Sequence, residues 1–433
     1  MAFSKTMVLV VSASLAFPAA SMAGVPHSFQ TGKKAIAAEV NENFAHLDQR
    51  LSALEQIAPT HVAIDCSADV DALLNTALQN NTTYTLTGMC NGPIWISNRN
   101  NVTIEGDASG SKDDGITLQA GLVEDPHGAI GVWESTAIKL NNLTISSENY
   151  VSQTYVFGEN VATLIASGQS RIDAANIDFL GGDYSVGIYN GSQLNLREGI
   201  NVTGFNRRGL DAYNHGLIRV HDDISVSGIV GSSTDTYPYA IAAISNSIVD
   251  VRNGGSYAGA SGQPVDEYAT AVWAGDNSTI RFAGSGNPTT VTGSIESAYS
   301  SMVRIGGNLT LNGTMAAYHR GYIRATGVTQ SGGEIYAGDA ATIRFESSNL
   351  TPSSSVYPAS PLDVYRQGNL RINDTTIDLG GNDIYLSGFA FFNARGASDL
   401  GGANINCHDQ NQVSIRGSVS GVGTVFCAQV FLP

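Results

Sequence analysis

One pattern recurs about thirteen times between Ile94 and Ile415: apolar-x-apolar, five small or polar residues, then apolar-x-apolar again. Clear copies are IWISNRNNVTI from Ile94, LIASGQSRIDA from Leu164, IESAYSSMVRI from Ile295 and IYAGDAATIRF from Ile335, with less regular ones from Ile188 and Ile384. The eight-residue step inside a copy hardly varies, while successive copies start 20 to 36 residues apart. A constant core with variable insertions is how a solenoid is written. Alternation of period two makes each unit a strand with its apolar side chains on one side, and the Gly, Ser and Asn between paired units suit a bend. A third short strand fits the rest of many copies, at 143–145, 177–179, 224–226, 309–311 and 377–379. Three strands per coil of twenty-odd residues predict an all-β fold: a right-handed parallel β-helix of about 13 coils, about 58 Å long at ~4.8 Å per coil.

The flanking segments read differently. Lys5, an apolar run over 7–17 and Ser21-Met22-Ala23 before Gly24 form an export signal cleaved after Ala23. The chain is therefore expected to be secreted or held at the cell surface. The run is shorter than the ~20 residues a membrane span needs, and no later stretch qualifies. In 24–58, Ala37, Val40, Phe44, Leu47, Leu51 and Leu54 recur at steps of three and four, a coiled-coil seam of under three heptads. So short a helix is marginal alone; it either packs on the next segment or joins copies of the chain, a trimer being one form. In 59–93 a strand at 61–65 precedes an amphipathic helix at 68–79, with Val70, Leu73, Leu74, Ala77 and Leu78 on one face. That helix is expected to cap the β-helix of 94–433.

Four cysteines in an exported chain point to disulfides, with three possible pairings. The local choices, Cys66 with Cys90 and Cys407 with Cys427, bracket the repeats. A formal charge of −16 with 48 glycines describes a turn-rich β protein and disfavours nucleic acid or anionic membrane as partner. Asp113-Asp114 and Asp222-Asp223 are isolated pairs, and the GGD and GGN turns lack the continuous nine-residue period of calcium-binding rolls. No metal or cofactor is expected.

The export signal, capping helix and stacked coils resemble the pectate-lyase-like superfamily over roughly 60–433, in fold pattern. That resemblance implies the right-handed β-helix and a role among lyases, glycosidases, epimerases, esterases, adhesins and phage tailspikes, between which the fold does not choose. The superfamily's WIDH-type, RxPxxR, Asn-Thr-Asp and Gly-His-Gly signatures are missing. AEVNENFAHLDQRLSALE is similar to a head piece of secreted bacterial repeat proteins.

Candidate chemistry lies in the outward columns. After the second anchor stand Thr103, Lys139, Asp173, Arg197, Arg219, Asp250, Arg281, Arg304, Arg324, Arg344, Arg371, Asn393 and Ser414, which hold eight of the sixteen basic residues beyond Ile130. Like charges ~4.8 Å apart repel by about 1 kcal/mol in water, so the ladder implies counter-charges. These are either internal, from Asp211, Glu296 and Asp363 in the first strands of the rungs bearing Arg219, Arg304 and Arg371, or supplied by an extended anionic glycan lying along Arg281, Arg304, Arg324, Arg344 and Arg371. In the first-strand column, Trp273 and Tyr336 are either sugar platforms or ordinary sheet formers. Asp276, Tyr299, His319, Asp339 and Arg366 share one corner. There His319, Tyr299 and Asp339, with Arg324 nearby, are the catalytic candidates for β-elimination on an acidic glycan. Inserts at 254–267 and 284–293 would wall such a groove, and Asp211, Tyr213, His215 and Arg219 form a second candidate. The expected function is a glycan-binding or adhesive surface module whose partner is a polysaccharide or cell-surface glycan. The alternative is a polysaccharide lyase, and a passive stalk comes third.

Overall fold

The computed structural model describes residues 27, 36–55, 59–107, 109, 111–118, 128–148, 161–228, 239–260, 270–284, 286–353, 360–427 and 429–431, without the side chains of 50–55, 260, 429 and 431. The export segment ending at Ala23 and residues 261–267 of the first proposed groove wall lie outside them. The chain divides into Met1–Pro59 and Thr60–Pro433.

In the first unit the heptad-spaced segment forms one helix, Ala37–Glu55, with Glu39 in its first turn. Phe44 is 66% and Leu47 45% exposed, so the described part of the seam is not covered within this unit.

In the second unit every strand pairing is parallel. First strands, from Ile94–Ser97 to Val425–Phe426, stack into a 14-stranded sheet, and a 24-stranded sheet holds the second and third strands. The architecture is that of a parallel β-helix. Ile295, Met315, Ile335 and Leu362 are direct neighbours in register, and inward residues such as Leu164, Val186, Leu210, Val272 and Met315 are fully buried. Each such side chain contributes about 1.5–3 kcal/mol of burial. The third strand does not make a separate sheet. Ile138–Ser147, Arg171–Gly181 and Met302–Asn312 run through the second and third positions in one element. The chain bends there at Asn142, Asn176 and Asn308, which take the left-handed conformation that asparagine tolerates. The fourth rung is anchored on Val186 and Leu194, two residues before the Ile188 register, since Val186 pairs with Leu164 and Leu194 with Ile172. Both segments expected to wall a groove contain third strands instead, Gly255–Ala260 and Thr289–Thr292, which pair with each other in the sheet.

Between first and second strands the chain turns through two successive left-handed residues: Asp276 and Asn277, Tyr299 and Ser300, His319 and Arg320, Asp339 and Ala340, Arg366 and Gln367. Behind these turns runs a buried serine ladder. The Ser135 N–H donates to Ser170 Oγ, Ser170 N–H to Ser192 Oγ, Ser247 N–H to Ser278 Oγ and Ser278 N–H to Ser301 Oγ, at 3.0–3.2 Å. At the next rung Gly321 replaces serine because a Cβ there would lie 1.9 Å from the Ser297 carbonyl oxygen.

The helix expected at 68–79 is a run of turns. Asp65 Oδ1 accepts the N–H groups of Ser67 and Ala68, and Asp69 Oδ1 that of Asp71; such local bonds offer the backbone an alternative to helix. Leu73 and Leu78 are nevertheless buried, while Val70 and Leu74 are exposed. Thr60–Asp65, Thr82–Thr87 and Met89–Gly92 join the 24-stranded sheet. Both local disulfides form, Cys66–Cys90 and Cys407–Cys427, with Cα separations of 5.1 and 5.0 Å. No helix among the described residues is long and apolar enough to cross a membrane.

Candidate ligand-binding faces

Arg281, Arg304, Arg324, Arg344 and Arg371 are consecutive register partners on the second strands. The ladder read from sequence is real over these five rungs. Its upstream end changes: Asn195 occupies the column where Arg197 was expected, and Arg197, one residue past its strand, pairs with Asp173 at 3.2 Å.

The expected internal counter-charges fail. Asp211, Glu296 and Asp363 belong to the 14-stranded sheet, beyond the double left-handed turn, and none forms an ion pair with Arg219, Arg304 or Arg371. The counter-charges on this face are Asp250, register neighbour of Arg219 and Arg281 and paired with Arg252 at 3.0 Å, and Glu346, two residues after Arg344, which accepts from Arg324 Nη2 at 3.0 Å and from Arg344 Nη2. The hydrogen bond from Arg324 holds the Glu346 carboxyl below the usual range. Arg281 and Arg304 have no ion pair or side-chain hydrogen bond among the described residues.

Farther along, Arg371 Nε donates to Asn369 Oδ1 at 3.2 Å and Arg395 Nε to Asn393 Oδ1 at 2.9 Å. Each asparagine sits two residues before its arginine and fixes the stem of the guanidinium, so that the Nη fork is oriented without being consumed. Asn369, Arg371, Phe391, Asn393, Gln412 and Arg416 line a hollow of about 260 Å³. A smaller one lies between Arg344, Arg371 and Arg395. Arg395 and Arg416 escaped the sequence reading because they stand two places past the anchor column, yet they share its outward parity.

Trp273 and Tyr336 lie on the other sheet. Their column reads Asp211, Ala242, Trp273, Glu296, Ala316, Tyr336, Asp363 and Tyr385 in direct register. They therefore do not share one site with the arginines. Gly187 precedes Asp211 in the column, two residues before the position that the Ile188 copy would have set. A Cβ on Gly187 would meet Tyr189 Oη at 2.6 Å, so glycine leaves room for that ring to fold back, and Tyr189 Oη donates to Asp211 Oδ2 at 3.2 Å. Asp211 is 1% exposed and bonds Arg208 Nη1 at 2.9 Å. It does not join Tyr213, His215 and Arg219 in a site: Tyr213 points to solvent at 44% exposure, and His215 bonds its neighbour Asn214. Glu296 accepts from Thr270, Ser294 and Tyr318 hydroxyls. Burial, then the neighbouring Asp339 and Asp363, pushes the Tyr336 hydroxyl up to about 12.

The corner column has the predicted register. The Ser300 N–H donates to the His319 carbonyl, and the Arg320 N–H to that of Asp339. Tyr299 and His319 stack with centroids 5.0 Å apart, and His319 Nδ1 lies 3.4 Å from Asp339 Oδ2. Arg366 Nη1 stands 3.7 Å from Asp339 Oδ1. An open depression over these residues is lined by Asp276, Tyr299, His319, Arg320 and Asp339. Arg324 is not brought here; it lies on the second-strand face with Glu346, and Arg320 and Arg366 are the cations of the corner. No family model, curated protein or solved structure matches the chain.

Proposed function

We propose that this chain is an exported glycan-binding or adhesive module, a right-handed β-helix of the pectate-lyase-like kind, whose ligand is an extended anionic polysaccharide. The observation that carries this reading is the arginine face. From Arg281 onward the outward second-strand positions hold Arg281, Arg304, Arg324, Arg344, Arg371 and Arg395, with Arg416 one residue past its strand, against Glu346 alone as carboxylate. In a chain of formal charge −16, such a concentration of one sign calls for a partner of the other. Guanidinium forks suit carboxylate and sulfate groups, and the ~4.8 Å rung spacing offers a row of them to a chain lying along the helix axis. Residues 24–58 would join copies through the apolar seam at Val40, Phe44 and Leu47, multiplying weak contacts by avidity.

The test is retention of the mature protein by immobilised polygalacturonate, alginate and heparin. Binding to at least one is expected, with loss of it in Arg304→Ala/Arg324→Ala/Arg344→Ala; retention unchanged in that variant would refute the reading.

A second reading, lyase action, draws on the corner. Asp339 Oδ2 lies 3.4 Å from His319 Nδ1, Tyr299 stacks on the imidazole, and all three residues line the depression. Ultraviolet-absorbing unsaturated product from a uronate polymer, abolished in His319→Ala, would establish it; absence of product leaves the binding role alone.

A further inference from the structure

We infer that the first-strand sheet is a second ligand surface, separate from the arginine face, and that it takes an uncharged polysaccharide chain laid across its strands. Tyr184, Arg208 and Tyr239 are register neighbours. Arg208 Cζ lies 5.4 Å from the centre of the Tyr184 ring and 5.8 Å from that of Tyr239. Tyr239 meets Trp273 at 6.0 Å, and Trp273 meets Tyr318 at 6.0 Å. From the rung anchored on Val186 to that anchored on Met315, five steps of ~4.8 Å make a continuous track of about 24 Å, long enough for several sugars. The four rings along it are half-buried, so each is held by packing and still offers a face.

The cation in this track is fixed rather than mobile. Asp211, buried beneath it, holds Arg208 Nη1 while its other oxygen accepts from Tyr189, and the Arg208 side chain keeps 23% exposure. One of its five N–H groups is engaged by Asp211, which leaves a rigid planar donor between two rings. Charge then selects the ligand. Arg208 and Asp211 cancel, Arg207 beside Tyr184 is offset by Asp183, and Glu296 adds a negative charge beside Trp273 and Tyr318, so an acidic chain gains nothing here. A neutral pyranose chain fits: its apolar faces stack on rings, and its paired hydroxyls suit the Arg208 fork and the Glu296 carboxylate.

The chain has three tryptophans, so Trp95→Phe/Trp133→Phe leaves Trp273 as the only indole reporter. That protein would be titrated with laminarin, dextran, glucomannan and xyloglucan while Trp273 emission is followed. At least one polymer is expected to shift the emission saturably. Tyr239→Ala/Tyr318→Ala should weaken that affinity by about tenfold or more, Tyr318→Phe should largely retain it, and the triple arginine variant should leave it unchanged. Circular dichroism and urea midpoints identify any variant that is misfolded, and Tyr318→Phe keeps the ring in place should the alanine form be one. The proposal is overturned if none of the four polymers shifts the emission, if the folded double alanine variant binds like its parent, or if the triple arginine variant abolishes the shift.

Discussion

At the residue scale the carboxylate of Glu346 is the most informative single group, because it answers two of the five stacked arginines and no more. Glu346→Gln should raise affinity for an acidic polysaccharide by freeing Arg324 and Arg344; a ladder of purely internal purpose would show no gain. Its pH behaviour follows from the depressed carboxyl. The ion pairs contribute fully above the ordinary glutamate value of ~4.3 and are lost as pH falls through the lower folded value, so urea midpoints should drop in that acid window, and less so in Glu346→Gln. Ser278, 2% exposed, both accepts from the Ser247 N–H and donates its own N–H to Ser301 Oγ. Ser278→Ala leaves a buried N–H without its acceptor and should cost about 1–3 kcal/mol, read from the urea midpoint. Arg197 shows how far a residue can be read from sequence alone. Leu194 and Leu196 both face inward, fully buried, so either could serve as anchor, and only pairing with Ile172 settles which one sets the register of the column.

At the element scale, strand positions were legible because burial enforces alternation, and the five-residue bends were legible because two left-handed residues and a small one leave a polar, glycine-rich trace. Sheet membership was not. Nothing in an apolar-x-apolar pattern says that Met302–Asn312 continues into a third strand, or that the double turn sets Glu296 and Arg304 on different faces. That blindness misassigned the counter-charges and placed Arg324 beside His319. The run at 68–79 misled for another reason: its apolar spacing is helical, but Asp65 and Asp69 bind nearby backbone N–H groups. The helix Ala37–Glu55 followed its pattern. Exposed Phe44 and Leu47 predict self-association, so Phe44→Asp/Leu47→Asp should convert an oligomer to monomer by light scattering, without altering the β-sheet signal in circular dichroism. A parent protein that is already monomeric would remove the proposed avidity.

At the scale of the whole molecule, the β-helical unit is a stack in which each rung buries the next, so its ends are its exposed points. Cys407–Cys427 closes the last described rungs across a separation of 20 residues, and a loop of that size is worth about 3 kcal/mol. Cys407→Ser/Cys427→Ser should therefore lower the thermal midpoint and expose the final strands first to proteolysis, while leaving binding at Arg281 and Arg304 intact. The stack also explains why two faces can differ so sharply in chemistry. Inward positions are fixed by the shared core, whereas outward positions on each sheet are free to accumulate arginine on one and rings on the other. The central claim is that the arginine face binds an acidic polymer, and the direct measurement is a titration of the mature protein with polygalacturonate, alginate and heparin at low salt and at about 1 M salt, where charge is screened within ~3 Å. Saturable binding to at least one at low salt, weakened at high salt and lost in Arg304→Ala/Arg324→Ala/Arg344→Ala, is the predicted result; no binding to any of the three, or binding indifferent to salt and to those arginines, would contradict it.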